Sequence, residues 1–164
     1  RKDRTHHLTV VGNRIIESID QMRWYGRGPQ ENYADRKESA LVDVYAQNVW
    51  EQYHPYVRAQ ETGNKCDVRW VEMTDQQGQG IRVAGDEVLN VSAWNFLQDD
   101  IDYIPAKKAH RHGGSVNRKP LVWLNIDHRL MGVGGDNTWG AEVHPEYTIT
   151  PREWRYSYTI SPLK

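Results

Sequence analysis

The sequence predicts an all-β, antiparallel domain of the sandwich or barrel kind. Three observations point there. Turn residues recur at short spacing: Gly12-Asn13, Gly26 to Pro29, Gly63-Asn64, Gly78 to Gly80, Gly85-Asp86, Gly113-Gly114 and Gly134-Gly135-Asp136-Asn137. The stretches between them are short and rich in Val, Ile, Trp, Tyr and Thr, side chains that fit a pleated, half-buried surface. Several of these stretches alternate apolar and polar residues, which is the strand period.

In chain order, Leu8 to Val11 and Arg14 to Ile19 flank Gly12-Asn13 and predict a hairpin. Gly26-Arg27-Gly28-Pro29 predicts a tight turn. Ala40, Leu41, Val44, Tyr45 and Val49 are spaced as on one helix face, but the β-branched content of the stretch favours a strand, and a strand is expected. Val88 to Phe96 is a further strand, and Asp99 to Lys108 a short helix or turn before Pro105. Val122, Leu124 and Ile126 alternate with Trp123, Asn125 and Asp127, and Tyr156, Tyr158 and Ile160 with Arg155, Ser157 and Thr159. Both are expected as half-buried antiparallel strands. No internal repeat, low-complexity tract or linker divides the chain, so residues 1–164 are taken as one domain.

The chain has 164 residues, enough to bury roughly 70% of its unfolded surface. Apolar residues make up 38% and the mean hydropathy is -0.83. No apolar run approaches the ~20 residues of a membrane-crossing helix, so no membrane partner is expected. Lys plus Arg total 21 and Asp plus Glu 22, a net charge of -1. That balance argues against a nucleic-acid partner. One cysteine, Cys66, excludes an internal disulfide framework and a cysteine zinc site, and it fits a reducing compartment. No export signal opens the chain, and Arg1 is not a natural start, so the sequence reads as continuing upstream. Cytoplasm and periplasm both stay open.

Seven Trp and nine Tyr stand against one Phe. These rings offer a flat apolar face and a polar edge, the mixed surface that sugars also present. The competing reading is that they fill a β-core. The glycine stretches Gly26 to Pro29 and Gly132 to Gly135 lack the following helix that a phosphate cradle needs, so turns are the better reading. His110 and His112 could share one strand face and bind a metal, but no third ligand is identifiable. No metal site and no catalytic residue is therefore assigned. Glycoside cleavage uses two carboxylates, and no carboxylate here sits in a barrel-strand context. A β/α barrel takes about 250 residues. In Gly134-Gly135-Asp136-Asn137-Thr138-Trp139-Gly140 a Trp stands at a glycine-braced loop tip. It is either a platform for a pyranose or a cap folded back on the sheet edge.

Trp24 to Arg36 reads W-Y-G-R-G-P-Q-E-N-Y-A-D-R, and Val122 to Trp139 reads V-W-L-N-I-D-H-R-L-M-G-V-G-G-D-N-T-W. Between them come Y-H-P-Y-V-R-A-Q-E-T-G-N-K-C (Tyr53 to Cys66) and H-R-H (His110 to His112). In content and order these motifs resemble the C-terminal small-chain domain of LacZ-type β-galactosidases, glycoside hydrolase family 2, over roughly Asp20 to Lys164. The resemblance implies an antiparallel β-supersandwich of the galactose-mutarotase-like type. It also implies hydrolysis of terminal β-D-galactosyl residues from β-galactosides such as lactose, with retention, through a covalent galactosyl-enzyme intermediate.

In such enzymes the catalytic carboxylates come from a barrel domain, and magnesium and sodium are held mostly by other domains. This segment is thus expected to need no cofactor and to catalyse nothing alone. Its implied partners are the barrel domain, the carbohydrate and, in the whole enzyme, further copies of itself. The small-chain domain lends one aromatic to the active-site rim, here Trp139, expected to stack on sugar bound in the initial, shallow mode. Asp136 and Asn137 would orient its turn by tying down local amides. Gly28, Pro29, Glu31, Tyr33, Asp35 and Arg36 belong to the first motif. Glu31, Asp35 and Arg36 are expected as a structural polar cluster held by an Arg–carboxylate pair, with direct sugar contact as the alternative.

The family's domain is longer than this chain, and the path from Leu8 to Met22 is short for it. The resemblance therefore implies an incomplete domain, with earlier strands before Arg1 and a segment missing near residues 12–20. Unpaired edges of that kind would invite association. Two other functions fit parts of the sequence: a free-standing carbohydrate-binding module, and an aldose-epimerase-like enzyme with His110 or His112 as general acid.

Overall fold

The computed structural model describes residues 8–10, 19–57, 59–101, 116–137 and 139–164. The expected hairpin around Gly12-Asn13 and the His110-Arg111-His112 motif lie largely or wholly outside the described residues. The described chain is all-β and antiparallel, as the turn spacing predicts. Its strands are β1 (Leu8–Val10), β2 (Gln21–Gly28), β3 (Leu41–Asn48), β4 (Lys65–Thr74), β5 (Gly80–Trp94), β6 (Trp123–Asp127) and β7 (Tyr158–Leu163). All belong to one sheet in the order β1-β6-β5-β4-β2-β3, with β7 also paired to β5. Among the described residues, helical structure is confined to α1 (Gln98–Ile101) and the 3-10 turns Val49–Gln52 and Pro145–Tyr147.

The 15-residue β5 is the spine. β4 runs along one of its edges from Gly80 to Val91. On the other edge Gly80 to Gly85 pairs with β7, and Asn90 to Trp94 with β6. The main core lies where these strands turn apolar side chains to one another: Met22 and Trp24 of β2, Val68, Val71 and Met73 of β4, Val83, Leu89 and Val91 of β5, Leu124 and Ile126 of β6. Each such side chain, fully buried, stabilises the fold by about 1.5–3 kcal/mol. A smaller cluster gathers Trp94, Phe96 and Ile101, where the Trp94 and Phe96 rings stack with centroids 5.3 Å apart. Trp24 and Trp94 are thus core rings, as the bland reading of the aromatics has it.

Three local expectations are corrected. Gly26-Arg27-Gly28 is strand, not turn; the chain turns only after it, at Pro29-Gln30. These glycines serve close packing. A Cβ on Gly26 would lie 2.8 Å from Val68 Cγ2, and one on Gly28 would lie 2.9 Å from both Trp24 Cζ2 and Tyr45 Cδ2. β6 is not half-buried: Asn125 and Asp127, on the face expected to meet water, are 1% and 4% exposed. Asn125 is accommodated there by donating to Ser92 Oγ at 2.9 Å and accepting from Trp123 Nε1 at 2.9 Å. The last strand starts at Tyr158, so Tyr156 packs on the core from the segment before it, and Ile160 is 45% exposed.

The stretch from Ala40 to Val49 forms edge strand β3 and the start of a 3-10 turn. Asn48 caps that turn, its Oδ1 accepting from Trp50 N at 3.0 Å while Glu51 Oε2 accepts from Asn48 N at 2.9 Å. Register shifts break the β4–β5 ladder between Lys65 and Trp70, and Asp67 there has φ 54. The irregularity re-aims the Asp67 side chain, whose Oδ2 accepts from Arg27 Nε at 2.6 Å.

Candidate functional site

Two motifs far apart in sequence meet beside the end of β2. The first follows Gly28-Pro29. Tyr33 and Arg36 close a tight turn through Arg36 N to Tyr33 O (2.8 Å) and Tyr33 N to Arg36 O (3.3 Å). Tyr33 is 2% exposed. Burial, then the charges of Glu31 and Glu61, push its hydroxyl well above the ordinary tyrosine value, so it stays a neutral donor. It donates to Glu31 Oε2 at 3.2 Å.

Glu31 is a hydrogen-bond hub. It accepts from Gly63 N at 2.8 Å, Thr62 Oγ1 at 3.4 Å, Tyr33 and Tyr56. A carboxylate has about four lone-pair sites, and four donors occupy them. Sequence reasoning missed the residues packed beside this hub. Asn32 Oδ1 accepts from Cys66 N at 2.8 Å, and Asn64 Nδ2 donates to Asn32 O at 2.7 Å. Lys65, 1% exposed, donates to Gly63 O at 3.1 Å. Burial lowers its pKa to about 8 against the opposing pull of Glu31. Burial, then the charge of Asp67, pushes the Cys66 thiol up to about 11, which leaves it a small core residue and not a nucleophile.

The Arg–carboxylate pair near the Gly–Pro bond is formed by Arg27, where the sequence points to Arg36. Arg27 bonds Asp67 and donates through Nη1 to Lys37 O (3.0 Å) and Ala40 O (2.9 Å). Lys37 Nζ adds a bond of 3.1 Å to Asp67 Oδ1. Burial alone would raise the Asp67 pKa, but the bonds from Arg27 and Lys37 and their charges outweigh it and hold Asp67 below the usual carboxylate range. Arg36 enters the cluster through its backbone.

The second motif is the loop after β6. Gly134, Gly135 and Gly140 have φ of 68°, 110° and 92°, left-handed backbone that glycine adopts without cost. Gly132 is needed for another reason, since a Cβ there would lie 2.5 Å from Asp35 Oδ2. Asp35 accepts from Val133 N at 3.1 Å and Gly134 N at 2.7 Å. Gly132 N donates to Tyr147 O at 2.9 Å.

Further along, Asn137 Oδ1 accepts from Trp139 N at 2.8 Å and from Ala141 N at 3.3 Å. Asp136 Oδ2 lies 2.6 Å from His144 Nε2. That hydrogen bond, then the charges of Asp136 and Glu146, raises the pKa of His144 above its ordinary value. At the tip Trp139 is 93% exposed. A cleft of about 270 Å³ opens beside the loop, with Lys37, Asp67, Arg129 and Tyr147 in its wall. Among the described residues no three His, Cys, Asp or Glu side chains converge where a cation could sit.

The arrangement offers an indole face to solvent on a stem held by carboxylate–amide bonds. Such an exposed ring suits binding by stacking.

Residues 2–161 match the family model described as Beta galactosidase small chain. The chain is 38% identical over 147 residues to a beta-galactosidase of Priestia megaterium, covering 89% of this chain and 14% of that protein. It is 34% identical over 150 residues to a beta-galactosidase of Lactobacillus delbrueckii subsp. bulgaricus, covering 91% of this chain and 14% of the relative. A beta-galactosidase of Vibrio vulnificus is 30% identical over 139 residues, covering 85% of this chain and 12% of its own length. The chain thus spans only about an eighth of the curated relatives it matches.

Proposed function

The chain belongs to the beta-galactosidase small-chain family, and on that premise we propose that it is the sugar-contacting, non-catalytic part of an enzyme that hydrolyses terminal β-D-galactosyl residues of β-galactosides such as lactose. The acid and the nucleophile of the retaining reaction lie in a barrel domain of the same enzyme. The magnesium and sodium the family uses are held mostly by the barrel and other domains of that enzyme. Trp139 completes the rim of the pocket they form. Its indole packs on the apolar face of the sugar in the first-bound complex, which favours capture of the disaccharide and orients acceptors, and it moves no proton.

The observation that carries this reading is the exposure of Trp139, 93%, on a loop whose amides are bonded by Asp35 and Asn137. An apolar ring of that size held in water costs free energy unless a partner covers it. Relatives that carry the matched region within a much longer chain favour an intramolecular pocket over a free-standing binding module. The two histidines that an epimerase would use lie outside the described residues.

In the full-length enzyme, Trp139→Ala is expected to raise KM for lactose by about tenfold, equal to about 1.4 kcal/mol, and to lower kcat much less. Steady-state kinetics with lactose measure this split. An unchanged KM removes the rim role. Hydrolysis of nitrophenyl-β-galactoside by this chain alone, surviving removal of contaminating enzyme, removes the non-catalytic assignment.

A further inference from the structure

We infer that Asp35 is a positioning residue that fixes Trp139 for the sugar, acting through the backbone of Val133 and Gly134; the inference rests on the role proposed above for Trp139. The two halves of the device are 98 and 99 residues apart in sequence. Among the described residues, the other hydrogen bonds of residues 132–144 close the loop on itself or on the 3-10 turn that follows it: Gly132 to Tyr147, Tyr147 to His144, Trp139 and Ala141 to Asn137, His144 to Asp136. The Asp35 carboxylate is the bond that ties this self-closed loop to the turn after β2.

Its own base is firm. Asp35 sits inside the Tyr33–Arg36 turn, closed by two backbone bonds, and Tyr33 is buried and bonded to Glu31. Both contacts to the loop are charge-assisted, the stronger class of hydrogen bond. Gly132 lets the carboxylate approach this closely, because a methyl group there would stand 2.5 Å from Oδ2. The loop adds little to the core: Val133, Asp136, Asn137 and Trp139 to Glu142 are all exposed. Loss of the tether should therefore move the indole without unfolding the sheet. The glycines with positive φ on either side of Trp139 give the freed loop many alternatives, so positional order has to come from bonds such as these.

The test uses the full-length enzyme. Asp35→Asn keeps one acceptor oxygen and turns an amide group toward the other N–H. It is expected to raise KM for lactose about three- to tenfold and to change kcat by less than about twofold. In the double variant Asp35→Asn/Trp139→Ala, KM should be no worse than in Trp139→Ala alone, since both act through one ring. Amide hydrogen exchange of the segment holding Val133 and Gly134 should be faster in Asp35→Asn, whatever the sugar does. Gly132→Ala, which keeps Asp35 and displaces its carboxylate, should reproduce the pattern if an Asp35 variant fails to assemble.

The inference is overturned if the two KM effects multiply in the double variant, or if exchange at Val133 and Gly134 is unchanged. A normal KM in Asp35→Asn beside a raised KM in Trp139→Ala overturns the positioning role and leaves the rim role standing. An unchanged KM in Trp139→Ala beside faster exchange in Asp35→Asn removes the rim role and leaves the tether standing.

Discussion

Lys65 stands at the start of β4 with 1% of its surface exposed. Its ammonium donates to Gly63 O at 3.1 Å and lies 5.2 Å from the centre of the Trp24 ring. Burial lowers its pKa to about 8, against the opposing pull of Glu31. The sign of the consequence follows from linkage. Between about pH 8 and the unfolded value near 10.4 the unfolded chain holds the proton and the folded chain does not, so stability rises with pH across that window. Below it the charge-burial cost is fully present. Lys65→Met removes the titration. The stability difference between wild type and Lys65→Met should therefore shift in favour of wild type by up to about 3 kcal/mol between pH 7 and pH 10. Thermal unfolding of both proteins at the two pH values measures it. A constant difference would place the ammonium in contact with water. Nothing in the sequence marks this lysine, because an isolated Lys beside Gly63-Asn64 reads as a solvated turn residue. Its burial depends on β2 and on the Glu31 hub, both remote in sequence.

At the scale of the element, β2 combines a sequence that hides its strand with tightly constrained packing. β3 and β6 could be recognised because Val, Leu, Ile and Tyr fill their apolar positions. In β2 the inward positions are Met22, Trp24, Gly26 and Gly28, so the alternation vanishes where the side chains do, and the two glycines imitate a turn. They are small because other groups occupy the space. The Trp24 and Tyr45 rings pack with centroids 5.5 Å apart over Gly28, and Trp24 Nε1 donates to Arg27 O at 3.0 Å. Gly28→Ala should cost about 1–3 kcal/mol by overpacking, seen as a lower Tm with the β-sheet circular dichroism retained. An unchanged Tm would mean that the rings have room to move apart. The same limit on sequence reading applies to the site. The local bonds of Asn137 were legible from Asx-turn chemistry. The Asp35 tether joins residues 98 positions apart, and no periodicity encodes such a distance.

On the scale of the whole molecule, the sheet ends at β3. Leu41, Val42 and Val44 are 73%, 40% and 42% exposed there, and among the described residues no strand pairs with the outer edge of β3. An edge strand with apolar side chains is a template for pairing with another chain, and β3 carries one acidic residue, Asp43, and no Lys or Pro to discourage it. The curated relatives devote only 12–14% of their length to the matched region, so in those proteins much chain is available to cover such an edge. Expressed without that cover, this chain should self-associate at about 100 μM. Val42 and Val44 project from the same face of the strand, so Val42→Lys/Val44→Lys places two cations side by side on it. Two chains pairing edge to edge through β3 would then bring four ammonium groups together, which is unfavourable between adjacent strands. The double variant should sediment as monomer at a concentration where the unmodified chain does not. If the unmodified chain is itself monomeric there, or if the lysines leave its association unchanged, β3 is not the surface through which copies meet.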